Sequence, residues 1–161
     1  MPHPIRIRLA TRRDYQAICR LYERLDRHHV AILPKYFRPF PKPARSKTRV
    51  YAGMKKPSAV YLVAETLQGI VGFLNLKRER APAAPMFRCR EFAHLVNLAV
   101  HPKYRRMGIG TALLSAARGW TADQGLNSIQ LKVYSANDSA VKFYRREGFK
   151  PLAMTMELEL I

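Results

Sequence analysis

The chain has 161 residues, 48% of them hydrophobic, enough to bury one substantial core and too few for two domains, so a single domain over 1–161 is expected. Lys and Arg outnumber Asp and Glu by 29 to 11, and a net charge of +18 argues for an anionic partner. No apolar run approaches the ~18 residues of a membrane span and Met1 to Thr11 lacks the apolar core of a secretory leader, so the reading is cytoplasmic, with no membrane-bound part.

In chain order, Ile5 to Leu9 alternates like an edge strand, and Thr11 with Asp14 forms a capping box ahead of an amphipathic helix. Its apolar face is Tyr15, Ile18, Leu21, Tyr22 and Leu25, and its end is expected near His28 and His29. Pro34, Pro39, Pro41 and Pro43 exclude regular helix until about Ala44 and leave a basic, aromatic stretch with Tyr36, Phe37 and Phe40, read as a substrate-side loop. Residues 35–56 hold eight Lys and Arg and no Asp or Glu, and residues 77–90 carry a net excess of four positive charges. These loops are either solvated faces or contacts for an anionic partner such as nucleic acid, with rings that could stack on bases between cations.

Strands are predicted at Ala59 to Glu65 and Ile70 to Lys77, joined by a turn at Gln68 and Gly69, and at Glu91 to Val100 after a loop with Pro82 and Pro85. A further strand is expected at Ser128 to Tyr134, a helix at Ser139 to Glu147 closed by Gly148, and a final alternating strand at Leu152 to Leu160. Alternating strands and helices give an α/β sandwich with a mixed sheet. Cys19 and Cys89 are far apart in sequence and fit neither a disulfide framework nor a metal spacing; no metal is expected.

Chemistry concentrates between Leu98 and Thr111. Ile109, Ala112, Leu113, Ala116 and Trp120 recur at helical spacing, which puts Gly108 and Gly110 in a first turn whose amides lack helical partners. Such a turn can bind an anion through its backbone if no side chain blocks the approach, and Arg105 and Arg106 add permanent charge with a geometry suited to phosphate. The alternative is a surface turn with two solvated arginines.

The spacing Arg105-x-x-Gly108-x-Gly110 after a strand, followed by Asn137-x-x-Ala140-x-x-Phe143-Tyr144-x-x-x-Gly148-Phe149, resembles the GNAT superfamily of N-acetyltransferases over about Ala93 to Phe149. The resemblance implies a mostly antiparallel mixed sheet flanked by helices, with splayed central strands. It also implies that acetyl-CoA is the cosubstrate and an amine the acceptor, joined by direct attack. The first stretch is similar to that family's pyrophosphate loop, here Arg105, Arg106, Met107, Gly108, Ile109, Gly110 and Thr111. The main chain of Leu98 and Val100 then corresponds to the strand that pairs with the pantetheine, Val100 N–H polarising the acetyl carbonyl. Asn137 corresponds to a pantetheine contact, a role it would share with capping its helix, and Tyr144 to the general acid. For the general base, the two places where family members carry glutamate hold His94 and Lys132, which leaves His94, Glu91 or a water chain. The acceptor-side segments are His28 to Phe40 and Arg80 to Arg90, where His28, His29 and Tyr36 could line an amine pocket. Two other readings stay open, a basic nucleic-acid or ribosome-binding protein and a CoA-binding module without turnover. Last-strand pairing within the family leaves monomer and homodimer equally open.

Overall fold

The computed structural model describes residues 4–161; the leader reading from Met1 rests in part on residues 1–3, which lie outside them. Strand β1 (Arg6–Leu9) leads through Thr11 into helix α1 (Tyr15–Ile32) and then α2 (Lys47–Lys55). Strands β2 (Ala59–Thr66), β3 (Gly69–Arg80) and β4 (Glu91–Val100) follow, then α3 (Ile109–Asp123), β5 (Ile129–Leu131) and α4 (Asp138–Arg146). The sheet order is β1-β2-β3-β4-β5, antiparallel throughout except for the parallel β4–β5 pair.

Apolar sequence decides the layering. Val71 to Leu76 on β3 is continuously buried, as a central strand covered on both faces must be. Ile18, Leu21 and Tyr22 of α1 pack on Val63 and Phe73 on one face, while Ile109, Leu113, Leu114 and Ala117 of α3 pack on Leu62, Leu74 and Leu95 on the other. Phe143, Tyr144 and Phe149 place α4 on the α3 side.

The capping box forms as expected: the Asp14 carboxylate accepts from Thr11 N–H at 2.8 Å and also takes the Arg8 guanidinium on both oxygens, at 2.8 and 2.9 Å. Arg8 bonds Glu65 as well, which ties β1, β2 and the start of α1 together. Arg8 holds the Asp14 carboxyl below the usual carboxylate range.

Four expectations need correction. Helix α1 runs to Ile32, beyond His28 and His29, because Pro34 and not the histidines ends it. The basic stretch contains α2, begun by Ser46, whose hydroxyl accepts from Arg49 N–H at 3.2 Å, and anchored by fully buried Val50. Strand β5 is three residues long, ending at Leu131, so the predicted run to Tyr134 is cut short. No strand forms at Leu152 to Leu160; that segment is exposed throughout.

Candidate active site

Strand β4 changes character at Val96. Leu76 pairs with Leu95 and Asn75 with Asn97, so Val96 is a surplus residue, a bulge that bends and twists the strand. Asn97 beside it is held from below, its Nδ2 donating to Asn75 Oδ1 at 3.0 Å and lying 3.4 Å from the Tyr22 hydroxyl. On the other edge, β4 pairs with β5 only through Ala93, His94 and Leu95. Past Leu95 the two strands part and leave a cleft.

The amides facing that cleft follow from strand alternation. His101 N–H donates to Val71 O on β3 at 2.8 Å, so Val100 and Leu98 turn their N–H groups to the opposite side, where β5 has already ended. Their side chains pack into the core, which leaves the main chain as the part that faces the cleft. Val100 C=O is taken by Arg105 Nε at 3.1 Å, so the Arg105 side chain folds back along the cleft rim.

Helix α3 starts where this edge ends. Ala112 N–H makes the first bond, to Gly108 O, and Gly108 offers no capping side chain, so the amides of Ile109, Gly110 and Thr111 face outward without helical partners. Gly108 has φ +79°, and a Cβ there would meet nothing within 4 Å, so conformation and not space selects glycine. Arg106 is also left-handed, at φ 65°, an unusual state for arginine that turns the loop back under the helix. Met107 is exposed at the tip and Ile109 is buried at 2%.

Two sequence assignments change meaning. A Cβ on Gly110 would stand 3.1 and 3.2 Å from the Phe143 ring, so this glycine also lets α4 approach α3. Thr111 Oγ1 donates to Glu147 Oε1 at 2.6 Å, which leaves only its backbone N–H for a ligand.

Across the cleft, Tyr144 packs between Phe143 and Phe149, at ring separations of 5.3 and 5.5 Å, and burial pushes its phenol up to about 12. Asn137 caps α4 through Ala140 N–H at 3.4 Å. Because its Oδ1 accepts a main-chain N–H, the His28 Nε2 that lies 3.3 Å from the same oxygen must be the donor. His29 stacks on Phe37 at 5.1 Å, and Phe37 meets Tyr134 edge-on at 5.3 Å. The last turn of α1 thus closes over the open end of the cleft. Phe37 takes the place suggested for Tyr36, which is 52% exposed and turned to Glu157. Tyr134 was missed because it sits just beyond the strand; an aromatic at the end of a predicted strand was the available signal.

His94 lies one residue inside the last β4–β5 pair, half-buried, with Nδ1 3.7 Å from Glu79 Oε2. Burial lowers its pKa from the ordinary histidine value, against the opposing pull of Glu79. Glu91 is clamped by Arg78 and by Arg80 at 2.8 Å, which push its carboxyl down to about 2 and remove it as a base. Lys132 is exposed. Among the described residues no three His, Cys, Asp or Glu side chains converge to hold a metal, and no helix is long and apolar enough to cross a membrane.

The site is thus a mixed sheet whose one parallel pair stops short, with free strand amides running into an uncapped helix start, on an α/β fold. Residues 28–149 match the Acetyltransferase (GNAT) family, and the chain belongs to it. It is 31% identical over 100 residues to an N-alpha-acetyltransferase of Sulfurisphaera tokodaii, covering 60% of each chain. It is 37% identical over 57 residues to the [Ribosomal protein bS18]-alanine N-acetyltransferase of Escherichia coli K12, covering 35% of this chain and 38% of that protein. The chain therefore spans less than two thirds of the length of either relative. Among solved structures, a mutant of the BH1408 protein of Bacillus halodurans superposes with a TM-score of 0.90 at 27% identity, covering 97% of this chain and 99% of that one. The aminoglycoside N-acetyltransferase AAC(6')-Iy, solved with CoA, gives 0.78 at 15% identity over 99% and 97% of the two chains, a likeness of fold.

Proposed function

We propose that this chain transfers an acetyl group from acetyl-CoA to a primary amine. The observation that carries the reading is the continuity of donors: the amides of Leu98 and Val100 lead along the cleft to those of Ile109, Gly110 and Thr111 at the start of α3, with Arg105 and Arg106 beside them. That row fits a pantetheine arm ending in a pyrophosphate, and Asn137 on the facing side is within reach of the same arm. Acetyl-CoA brings an acetyl thioester to the cleft; the remaining chemistry belongs to this chain's residues. Val100 N–H stabilises the charge that develops on the carbonyl oxygen, a contribution of about 3 to 4 kcal/mol for a preorganised donor. His94, held neutral by burial, takes the proton of the attacking amine. Tyr144, whose raised pKa keeps its proton on, gives one to the departing sulfur.

The acceptor side is formed by His28, His29, Phe37 and Tyr134, a half-buried aromatic wall suited to an amine carried on an uncharged or aromatic stem. Calorimetric titration with acetyl-CoA tests the reading, with Arg106→Glu as its control. Micromolar binding that the variant loses supports it and opens a screen of amines, including peptide amino termini. Binding without turnover of any amine would point to a CoA-holding module, and absence of binding would sink the proposal.

A further inference from the structure

The α1 face of the cleft holds two polar side chains that the proposed transfer leaves unused. Ala93, Leu95 and Leu98 of β4, and Ile129 and Leu131 of β5, pack into the core on the α3 side, so by alternation His94, Asn97 and Gln130 lie on the α1 face. Lys132 follows Gln130 by two positions and stands on that face too; Tyr134, two further on, keeps to the same side, where it meets His29 and Phe37. Since His94 pairs with Gln130 and Val96 is surplus, Lys132 comes level with Asn97 across the split.

Asn97 has one free end. Its two Nδ2 hydrogens are committed, to Asn75 Oδ1 at 3.0 Å and toward the Tyr22 hydroxyl at 3.4 Å, which fixes the amide and turns Oδ1 the other way. No donor among the described residues reaches that Oδ1, yet no buried side-chain oxygen among them lacks a partner, so it opens to the cleft. Lys132 is exposed and forms no ion pair among the described residues, whereas carboxylates on the neighbouring elements are taken: Glu79 by Lys77, Asp26 by Arg45 at 2.9 Å, Asp138 by Lys142 at 2.7 Å and Glu157 by Lys35 at 3.4 Å.

We propose that the acceptor is an amine that carries its own carboxylate, the amine N–H donating to Asn97 Oδ1 and the carboxylate lying against the Lys132 ammonium. The inference rests on the transfer reading above and narrows it to a substrate class. A hydrogen-bond acceptor faces a cation across one cleft, and an amino acid-like molecule satisfies both at once. One ammonium matches a single negative charge, which selects a carboxylate over a phosphate dianion. Paired strands lie about 4.8 Å apart and these two have begun to separate, so amine and carboxylate stand a few bonds from each other, as in an amino acid or at the start of an acidic peptide. The uncharged remainder of the acceptor lies on the wall of Phe37 and Tyr134. An amine without a carboxylate would meet Lys132 with no unpaired anion to offset the repulsion of its ammonium form.

The test uses the whole chain with acetyl-CoA and follows initial rates of CoA release with a thiol reagent on matched acceptors. Phenylalanine against phenylalaninamide probes a carboxylate beside the amine, and an alanyl-glutamyl against an alanyl-glutaminyl peptide amide probes one on the next side chain. In at least one pair the carboxylate member should exceed its neutral partner in kcat/KM by about tenfold or more, and the pair that shows it gives the position of the carboxylate. Lys132→Gln should bring that ratio close to one, chiefly by raising KM for the carboxylate member, and Lys132→Glu should reverse it. Lys132 is exposed, so neither change weakens the fold, and calorimetry with acetyl-CoA checks that the variants remain intact. Equal use of both members of each pair, turnover confined to amines without a carboxylate, or a preference that survives Lys132→Gln overturns the proposal while acetyl transfer stands. A chain that binds acetyl-CoA and acetylates no amine fails the transfer reading itself, and this inference falls with it.

Discussion

At the scale of single residues the proposed mechanism depends on two titrating groups moved in opposite directions. His94 sits below the ordinary histidine value and Tyr144 at about 12, so between them lies a wide interval in which the base is free and the acid is loaded. Turnover should therefore rise as pH increases through the lowered His94 pKa. Across neutral and mildly alkaline pH it should keep rising only through ionisation of the acceptor amine, which for a lysine-like amine falls near ~10.4. Tyr144→Phe should cut kcat by about 10²-fold or more while leaving the acetyl-CoA Kd unchanged, the range expected for losing one proton donor. A His94→Gln variant that keeps both the rate and the acid limb of the pH profile would remove His94 from the mechanism. Arg106 offers a different kind of test. Its left-handed backbone costs about 1 to 2 kcal/mol for a residue with a Cβ, so Arg106→Gly should raise thermal stability while weakening acetyl-CoA binding, gains and losses read by calorimetry on one sample.

Among elements, the junction of β1, β2 and α1 turns on Asp14. Its folded pKa is depressed, so its stabilising effect is present at neutral pH and is lost as the pH falls below the usual carboxylate range, through the lowered value. Asp14→Ala removes the cap and leaves Arg8 with Glu65 as its one carboxylate partner, and should cost about 2 kcal/mol at pH 7 by urea denaturation, with a much smaller difference at low pH. The cap was legible in the sequence, because a capping box is a local signal four residues long; the Arg8 link to Glu65 was not, because the two are brought together only by strand pairing. The start of α3 was legible as a local signal too. Helix α2 was not: prolines up to Pro43 masked it, and its stability comes from Val50 entering a pocket made by Tyr15, Cys19 and Tyr61, residues remote in sequence. The packing role of Gly110 was not legible because its neighbour Phe143 is brought to it only by folding. Gly110→Ala sets a helix-propensity gain of about 1 kcal/mol against overpacking of about 1 to 3 kcal/mol. A net loss of about 1 kcal/mol in denaturation follows, with a fall in kcat because Phe143 adjoins Tyr144.

For the whole molecule, the charge of +18 was the plainest sequence feature and the least instructive about location. Folding neutralises part of the 35–56 stretch: Arg45 pairs with Asp26 at 2.9 Å and lies over the Tyr22 and Phe40 rings, Lys42 faces Glu23, and Lys35 meets the last glutamates. Arg38, Lys47, Arg49, Lys55 and Lys56 stay exposed and form no ion pair among the described residues. If these five cations serve an anionic partner, retention on RNA or heparin should fall steeply with salt, and replacing Lys47, Arg49 and Lys55 by Gln should flatten that slope by about 0.7 for each phosphate no longer neutralised. Strands β1 to β4 and the cofactor-side elements could be read from periodicity and turn residues; the order of the strands and the cleft could not, because both arise from pairing.

That pairing turns on Val96. Leu95 and Leu98 both enter the core on the α3 side, three positions apart where a regular strand allows two, and the extra residue absorbs the discrepancy. Delete it and the side chains before and after keep their faces, the amides of Leu98 and Val100 keep their direction, and β4 straightens alongside β5. Such a chain would have a more regular sheet, one amino acid fewer, and nowhere to put a ligand. On the proposed reading, the place for the ligand rests on a single supernumerary valine.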